Sequence, residues 1–203
     1  MTSSLPGCIE RAQVHGVNPM RAWFIGILMF VFGAGTGVQD SGLPQDIPNG
    51  VLLRPGLACG GQPTEAQLRA LSRAGYRTVI DNRLPEERRP FDEAEVARRL
   101  GLRYVNIPVG GPETITPEVL ARFVRALEES PGPIFMHCRS GNRSAQLYYG
   151  YLRFKGLSAE QALAEARRAG MRDVSALPYL ERAVARLLAR QQGKSKPNTG
   201  GYR

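Results

Sequence analysis

Short apolar runs alternate with amphipathic segments along most of this chain, and that alternation most constrains its fold. The runs "YRTVIDNR", "LRYVNIPV" and "PIFMH" are typical of buried strands, and "VLLRPG" followed by "LACGG" predicts two more strands joined by a turn. The intervening segments carry helix signals, such as the capping residue Thr64 and the spacing of Leu120, Phe123, Val124 and Leu127. We therefore predict an α/β fold with a mainly parallel sheet flanked by helices.

Four regions are predicted along the chain. The stretch "MRAWFIGILMFVFGAGTG" places Arg21 before an apolar run and small residues, which is typical of a signal peptide. Residues 1–40 are accordingly predicted to be a signal peptide or an uncleaved membrane anchor, with the domain exported, in the periplasm or otherwise outside the cytoplasm. Residues 41–50 are predicted to be a linker, residues 51–190 the catalytic domain, and residues 191–203 a flexible basic tail.

Composition narrows the classes of partner. The 203 residues carry a net charge of +9, mostly from arginine, whose planar donors suit phosphate and carboxylate, so an anionic substrate is favoured. No basic-aromatic repeat or zinc-finger spacing indicates nucleic acid. Three cysteines and two histidines are too few and too scattered for a disulfide framework or a metal site. Neither a metal nor another cofactor is expected.

The stretch "PIFMHCRSGNRSAQ" holds the candidate chemistry, because it places Cys138 where a predicted parallel strand meets a helix. Such a loop leaves backbone N–H groups free for an anion, and the helix dipole adds positive potential that favours a thiolate. We predict that Arg143 binds two oxygens of a tetrahedral anion and that Ser144 donates to the sulfur. The other predicted substrate-binding residues of this loop are His137, Arg139, Ser140, Gly141 and Asn142. The structural alternative is that Cys138 is a small buried apolar residue.

Longer stretches resemble a known family. "GGQPTEAQLRALSRAGYRTVIDNRLPEE", "LGLRYVNIPVG", "ITPEVLARFVRALEESPGPIFMHCRSGNRSAQ" and "GLSAEQALAEARRAGM" are similar to the beta-lactamase-hydrolase-like, phosphatase-like domain family, a bacterial relative of dual-specificity and tyrosine phosphatases. The resemblance extends from about residue 51 to residue 171. It implies a Cys-dependent phosphatase fold with a phosphocysteine at Cys138 and a phosphoryl group held by Arg143. The implied substrate is a phosphorylated protein or a small phosphomonoester.

The chain departs from the tyrosine-phosphatase pattern in its loop length. Cys138 and Arg143 enclose four residues rather than five, a spacing that also resembles rhodanese sulfurtransferases, in which the cysteine carries a persulfide. Three hypotheses are therefore open. The first is a phosphatase, the second is a sulfurtransferase, and the third is a non-catalytic module that binds an anion or a phosphopeptide.

A second departure concerns the general acid. Dual-specificity phosphatases usually carry an aspartate just after the isoleucine-proline-valine strand, where this chain has Gly110 and Gly111. Asp81, at the end of its own strand, is our first candidate for the acid, and Glu113 is the second. The alternative for Asp81 is a carboxylate that braces the loop or pairs with Arg83.

Two further interpretations concern neighbours of the predicted site. If the strands follow the order of the related phosphatases, Cys59 borders the loop and could form a protective disulfide with Cys138. The charged run 86–89 is interpreted as a solvated surface.

Overall fold

The computed structural model describes residues 42–194 and forms one five-stranded sheet with helices on both faces. The strands are β1 Val51–Arg54, β2 Leu57–Gly60, β3 Thr78–Asp81, β4 Arg103–Asn106 and β5 Ile134–His137. The helices are α1 Glu65–Arg73, α2 Glu93–Arg99, α3 Pro117–Glu129, α4 Asn142–Phe154, α5 Ala159–Arg168 and α6 Leu177–Lys194, with a 3₁₀ turn at Pro112–Thr114.

The strand order β1-β2-β5-β3-β4 confirms the predicted fold class. Only β1 runs antiparallel to its neighbour, and the other three pairings are parallel. All four residues of β2, β3 and β5 are buried, as expected for strands covered on both faces. This order places β5 in the centre of the sheet, so the residue after it, Cys138, emerges at the middle of the carboxyl edge.

The two faces of β5 contact different layers. Ile134 and Met136 pack into the core that α3, α4, α5 and α6 share, whereas Phe135 packs into the core formed with α1 and α2. Because side chains alternate across a strand, His137 points with Phe135 toward the α2 side, and the two rings stack with centroids 5.7 Å apart. The side chain of Met136, next to His137, therefore points to the opposite face of the sheet, toward α3, α4, α5 and α6.

The predicted linker 41–50 is corrected by the structure over residues 42–50. Ile47 is buried in the core with α1 and α2, and the carbonyl of Pro48 accepts a hydrogen bond from the Gly61 amide. The side chain of Asn49 donates to the carbonyl of Ser140 in the 138–143 loop. This segment is thus part of the domain. A single isoleucine in a polar stretch gives no periodic signal in the sequence, yet Ile47 packs into the core.

At the C-terminal end, α6 continues to Lys194, so the range predicted as a flexible tail begins inside a helix. Residues 195–203 and the predicted signal or anchor over residues 1–40 lie outside the described residues. Within the described part of the chain, no helix combines the length and apolar character that a membrane span requires.

Candidate active site

The 138–143 loop joins β5 to α4 and holds Cys138 at its base. Gly141 caps α4 with φ at 91°, and a Cβ there would lie 3.3 Å from the Gly60 carbonyl, so only glycine fits without strain. Its amide donates to the Cys138 sulfur at 3.2 Å. The first-turn amides of α4 have no intrahelical acceptor, and they add to the positive potential at this end of the helix. Cys138 is 1% exposed, but its sulfur faces this loop.

Arg143 is held end-on by groups outside the loop. Its Nη1 donates to Glu87 Oε1 at 2.5 Å and to the Val109 carbonyl at 2.7 Å, and its Nη2 donates to Glu87 Oε2 at 2.8 Å. A guanidinium has five N–H donors, so these three bonds leave Nε–H and one Nη2–H, which lie on the same side of the group. The pKa of Arg143 is raised by the Glu87 hydrogen bonds and by the adjacent Cys138 sulfur. The free side of the fork can therefore bind two anion oxygens beside the sulfur.

Asn82 links the loop to two neighbouring strands, and sequence reasoning missed it. Its amide donates to the carbonyl of His137, its Nδ2 donates to Ile107, and its Oδ1 accepts from the Ser144 hydroxyl at 2.8 Å. The Ser144 proton is thus directed at Asn82 rather than at the Cys138 sulfur, contrary to the prediction. Both side chains are buried, so this bond fixes the start of α4 against β3 and β4.

His137 does not line a substrate site, contrary to prediction. It is fully buried on the α2 side of the sheet, with Nε2 2.8 Å from Glu93 Oε1 and 4.0 Å from Asp81 Oδ1. The first contact is within hydrogen-bonding distance, so the His137 ring is part of the buried polar cluster formed with Asp81, Arg83 and Glu93. His137 lies beneath the loop, where its Nδ1 is 3.4 Å from the Cys138 carbonyl oxygen, so its ring contacts the backbone of Cys138 rather than a substrate.

Asp81 is a bracing carboxylate rather than the general acid that we predicted first. Its two oxygens accept hydrogen bonds from the side chain and amide of Arg83, and the Tyr104 hydroxyl donates at 2.7 Å. Burial alone would raise the pKa of Asp81, but the hydrogen bonds from Arg83 and Tyr104 outweigh it and hold the pKa well below its usual range. A carboxylate that stays ionised has no proton to give, so the pairing with Arg83 is the correct alternative.

The three residues Asp81, Glu93 and His137 are close enough to offer ligands to a metal ion. Arg83 hydrogen-bonds both carboxylates, and Arg89 also contacts Asp81. A cation would have to displace or face two guanidinium groups, so the donor set fits a buried ion-pair cluster better than a metal.

Glu113, the second candidate acid, is exposed at the 3₁₀ turn after β4. Its carboxylate folds back over Gly111, where an added Cβ would lie 2.5 Å from Oε1. Gly110 lies in the same turn, and its amide donates to the Thr114 hydroxyl. Among the described residues, therefore, no contact places a carboxylate of this turn against the Cys138 sulfur.

The polar loop residues fall into two groups. The Asn142 side chain accepts hydrogen bonds from the amides of Arg172 and Asp173, so only its backbone amide is left for the predicted substrate contact. The Ser140 carbonyl is bound by Asn49 and Arg172. The Arg139 carbonyl accepts from the Gln62 amide, while its exposed side chain borders a cavity of about 430 Å³ lined by Gln62, Glu87, Arg88, Pro90 and Arg139.

Cys59 lies beside the loop, as predicted, but both described cysteines are free thiols. Its sulfur is 3.9 Å from the carbonyl of Gly141. Burial, reinforced by the charge of the neighbouring Cys138, raises the pKa of the Cys59 thiol far above its usual range. Cys59 is therefore a protonated core residue in this structure.

Glu87 is the second functional residue that sequence reasoning missed, since we assigned it to a solvated charged run. The other members of that run differ from it. Glu86 and Arg88 are exposed, whereas Arg89 is bound to Asp81 and to the Pro85 carbonyl. The only available signal was its position a few residues past the end of β3, at the edge of the sheet where Cys138 lies.

Comparisons with known proteins show which family this chain belongs to. The family described as "DSP-PTPase phosphatase fused to NAD+ Kinase" matches residues 53–175. A beta-lactamase hydrolase-like protein of Xylella fastidiosa is 38% identical over 96 residues, which is 45% of this chain and 22% of that protein. The chain therefore spans less than a quarter of the length of this relative.

Solved structures share the fold. PTPMT1 in complex with PI(5)P superposes with a TM-score of 0.58 at 20% identity, covering 70% of this chain and 98% of that one. Tk-PTP in its active form gives a TM-score of 0.54 at 21% identity, covering 70% and 98% of the two chains. At these identities the likeness concerns the fold, which is that of Cys-dependent phosphatases.

Proposed function

We propose that this chain, which belongs to the family described as "DSP-PTPase phosphatase fused to NAD+ Kinase", hydrolyses phosphomonoesters. The reaction would proceed through a phosphocysteine at Cys138. The observation that carries the proposal is the pairing of a sulfur with a prepared guanidinium fork. The Gly141 amide contacts the sulfur, and Glu87 leaves one side of Arg143 free beside it.

In the first step, the Cys138 thiolate attacks phosphorus, the S–P bond forms and the bond from phosphorus to the leaving oxygen breaks. The loop amides and the free side of Arg143 stabilise the three non-bridging oxygens, whose charge grows in the transition state. A thiolate nucleophile attacks phosphorus without a separate base. In the second step, water attacks phosphorus and the thiolate leaves as inorganic phosphate forms.

Sulfur transfer is favoured by the four-residue spacing between Cys138 and Arg143, and also by the lack of a general acid beside the sulfur among the described residues, since moving sulfane sulfur needs no proton. A persulfide would use the same amides, so the two chemistries are separated by what the sulfur carries. A purely binding role would need Arg143 and the loop but not the thiol.

The test is to incubate the enzyme with an aryl phosphate or with thiosulfate, quench with acid and weigh the intact protein. A gain of about 80 mass units, absent in Cys138→Ser, is expected for a phosphocysteine, against about 32 for a persulfide. Turnover of the aryl phosphate should be blocked by vanadate. Binding of phosphate by Cys138→Ala together with no turnover by the unmodified enzyme would leave only the binding role.

A further inference from the structure

Two guanidinium groups at the mouth of the site have no role in the phosphocysteine chemistry proposed for Cys138 and Arg143. Arg88 and Arg139 are both exposed, and both border the 430 Å³ cavity beside the loop. Across residues 42–193, neither side chain makes a hydrogen bond or an ion pair. Glu87, which lines the same cavity, is already bound to Arg143 through both oxygens. The cavity thus carries unneutralised positive charge beyond the group that holds the reacting phosphate.

The described residues that line this cavity also offer no acid. Its one carboxylic acid is Glu87, and the Arg143 hydrogen bonds lower the pKa of Glu87, so it remains a carboxylate. Asp81 is bound to Arg83, and Glu113 rests against Gly111. General acid catalysis typically contributes about 100- to 10,000-fold, so a leaving group that requires a proton would leave slowly from this site.

We infer that the preferred substrate is a phosphoanhydride, whose leaving group is itself a phosphate that Arg88 and Arg139 receive. This inference rests on the proposed phosphocysteine chemistry and narrows its substrate class. A leaving phosphate is a stable anion near neutral pH, since phosphate esters lose their second proton with a pKa of about 6. An alkoxide is a strong base and lacks this stability. Guanidinium groups bind phosphate oxygens side by side, so Arg88 and Arg139 are suited to bind the leaving phosphate.

The step balances without an acid. The Cys138 thiolate attacks the terminal phosphorus, the S–P bond forms, and the bridging oxygen leaves with the electron pair of the P–O bond. That electron pair places a negative charge on the leaving phosphate, which faces the guanidinium groups of Arg88 and Arg139. Water then attacks the phosphocysteine, the S–P bond breaks toward sulfur, and both protons of the water leave on dihydrogen phosphate. The thiolate is restored, so no oxidant or other reactant is required.

The chemistry is common to soluble diphosphates and to diphosphate lipids, and the experiment separates them. Values of kcat/KM are measured for an aryl phosphate, for glycerol phosphate, for a nucleoside diphosphate in solution and for a polyprenyl diphosphate in phosphatidylcholine vesicles. We expect kcat/KM for either diphosphate to exceed that for glycerol phosphate by at least about 100-fold, because only the glycerol leaving group needs a proton from an acid. The better of the two identifies the source. Equal or faster turnover of glycerol phosphate overturns the inference, while aryl phosphate turnover still upholds the proposed function.

Variants assign the role to the two arginines. In Arg88→Ala and in Arg139→Ala, the ratio of diphosphate to aryl phosphate kcat/KM should fall by about 10-fold, because each loses a charge-assisted contact to the leaving phosphate. Arg73→Ala, an exposed arginine at the far end of α1, is the matched control and should keep the ratio. An unchanged ratio in both test variants would contradict the inference. So would a Glu113→Gln variant that loses the alkaline limb of its pH profile, since Glu113 would then be the acid.

Discussion

Glu87 binds Arg143 with both carboxylate oxygens, Oε1 lying 2.5 Å from Nη1 and Oε2 2.8 Å from Nη2. This contact fixes the plane of the guanidinium and so determines which side of it can receive a phosphoryl group. A second bond, from Nη1 to the Val109 carbonyl, prevents rotation about the contact. In the proposed reaction Glu87 is a positioning residue, because it contacts Arg143 and not the phosphoryl group.

Replacing Glu87 should therefore reduce activity without removing any group that touches the substrate. We expect Glu87→Gln to lower kcat/KM for an aryl phosphate by roughly 10- to 100-fold, because a small misplacement of a phosphate-binding group is costly. Glu86→Gln is the matched control, since Glu86 is exposed and adjacent in sequence. Losses of equal size in the two variants would indicate a general effect of surface charge instead.

Asp81 should matter for stability and for its dependence on pH. Breaking a buried ion pair typically costs about 3–5 kcal/mol, so Asp81→Asn should lower the free energy of unfolding by that order. The pKa of Asp81 is lowered in the folded state. Its contribution is therefore fully present above the unfolded-state pKa of about 4 and is lost as the pH falls below it.

Urea unfolding of the parent chain and of Asp81→Asn at pH 7 and pH 3 measures this. The difference between the two proteins should shrink at the lower pH. A catalytic role would appear differently. A folded Asp81→Asn enzyme that lost the alkaline limb of kcat while keeping its stability would restore Asp81 as the acid.

Ser144 should act on stability more than on the second chemical step. Its hydroxyl donates to Asn82 in a buried site, so Ser144→Ala leaves an unsatisfied carbonyl oxygen and should cost about 1–3 kcal/mol. Since the proton is not directed at Cys138, we expect no accumulation of phosphocysteine. Rapid-quench measurements check this, and a pronounced burst of product in Ser144→Ala would show that the hydroxyl does assist the departing sulfur.

The two described cysteines should differ in reactivity. Cys59 is fully buried, and its thiol pKa is raised by burial and by the neighbouring Cys138, so it presents little thiolate. In a Cys8→Ser background, iodoacetamide at neutral pH should label Cys138 first and should reach Cys59 only after unfolding. Peptide mass mapping reads out both sites. Faster labelling of Cys59 would mean that the thiolate assignment at Cys138 is wrong.

The sequence predicted the elements well, because each depends on local signals. Thr64 caps α1 as expected, and β3 and β5 are the expected buried strands. The relation of Cys138 to Arg143 was also predictable, because one short loop contains both. These features require no knowledge of what lies across the sheet.

Partners distant in sequence were not predictable. Glu87 lies 56 residues from Arg143, and Asn82 lies 62 residues from Ser144. A carboxylate in a charged run and an amide after a strand carry no periodic pattern that names their partner. For Asp81, sequence placed a carboxylate at the right strand end, but only the contacts with Arg83 and Tyr104 decide between proton donor and brace.

The segment 42–50 has a practical consequence for anyone shortening this protein. The range 53–175 that matches the family contains both Cys138 and Arg143, so it looks sufficient for activity. Trimming to it would delete the Asn49 amide that holds the Ser140 carbonyl, and the Ile47 side chain that fills the core beneath. A shortened domain that keeps these contacts therefore starts upstream of β1, at or before Leu43, which packs against the same core.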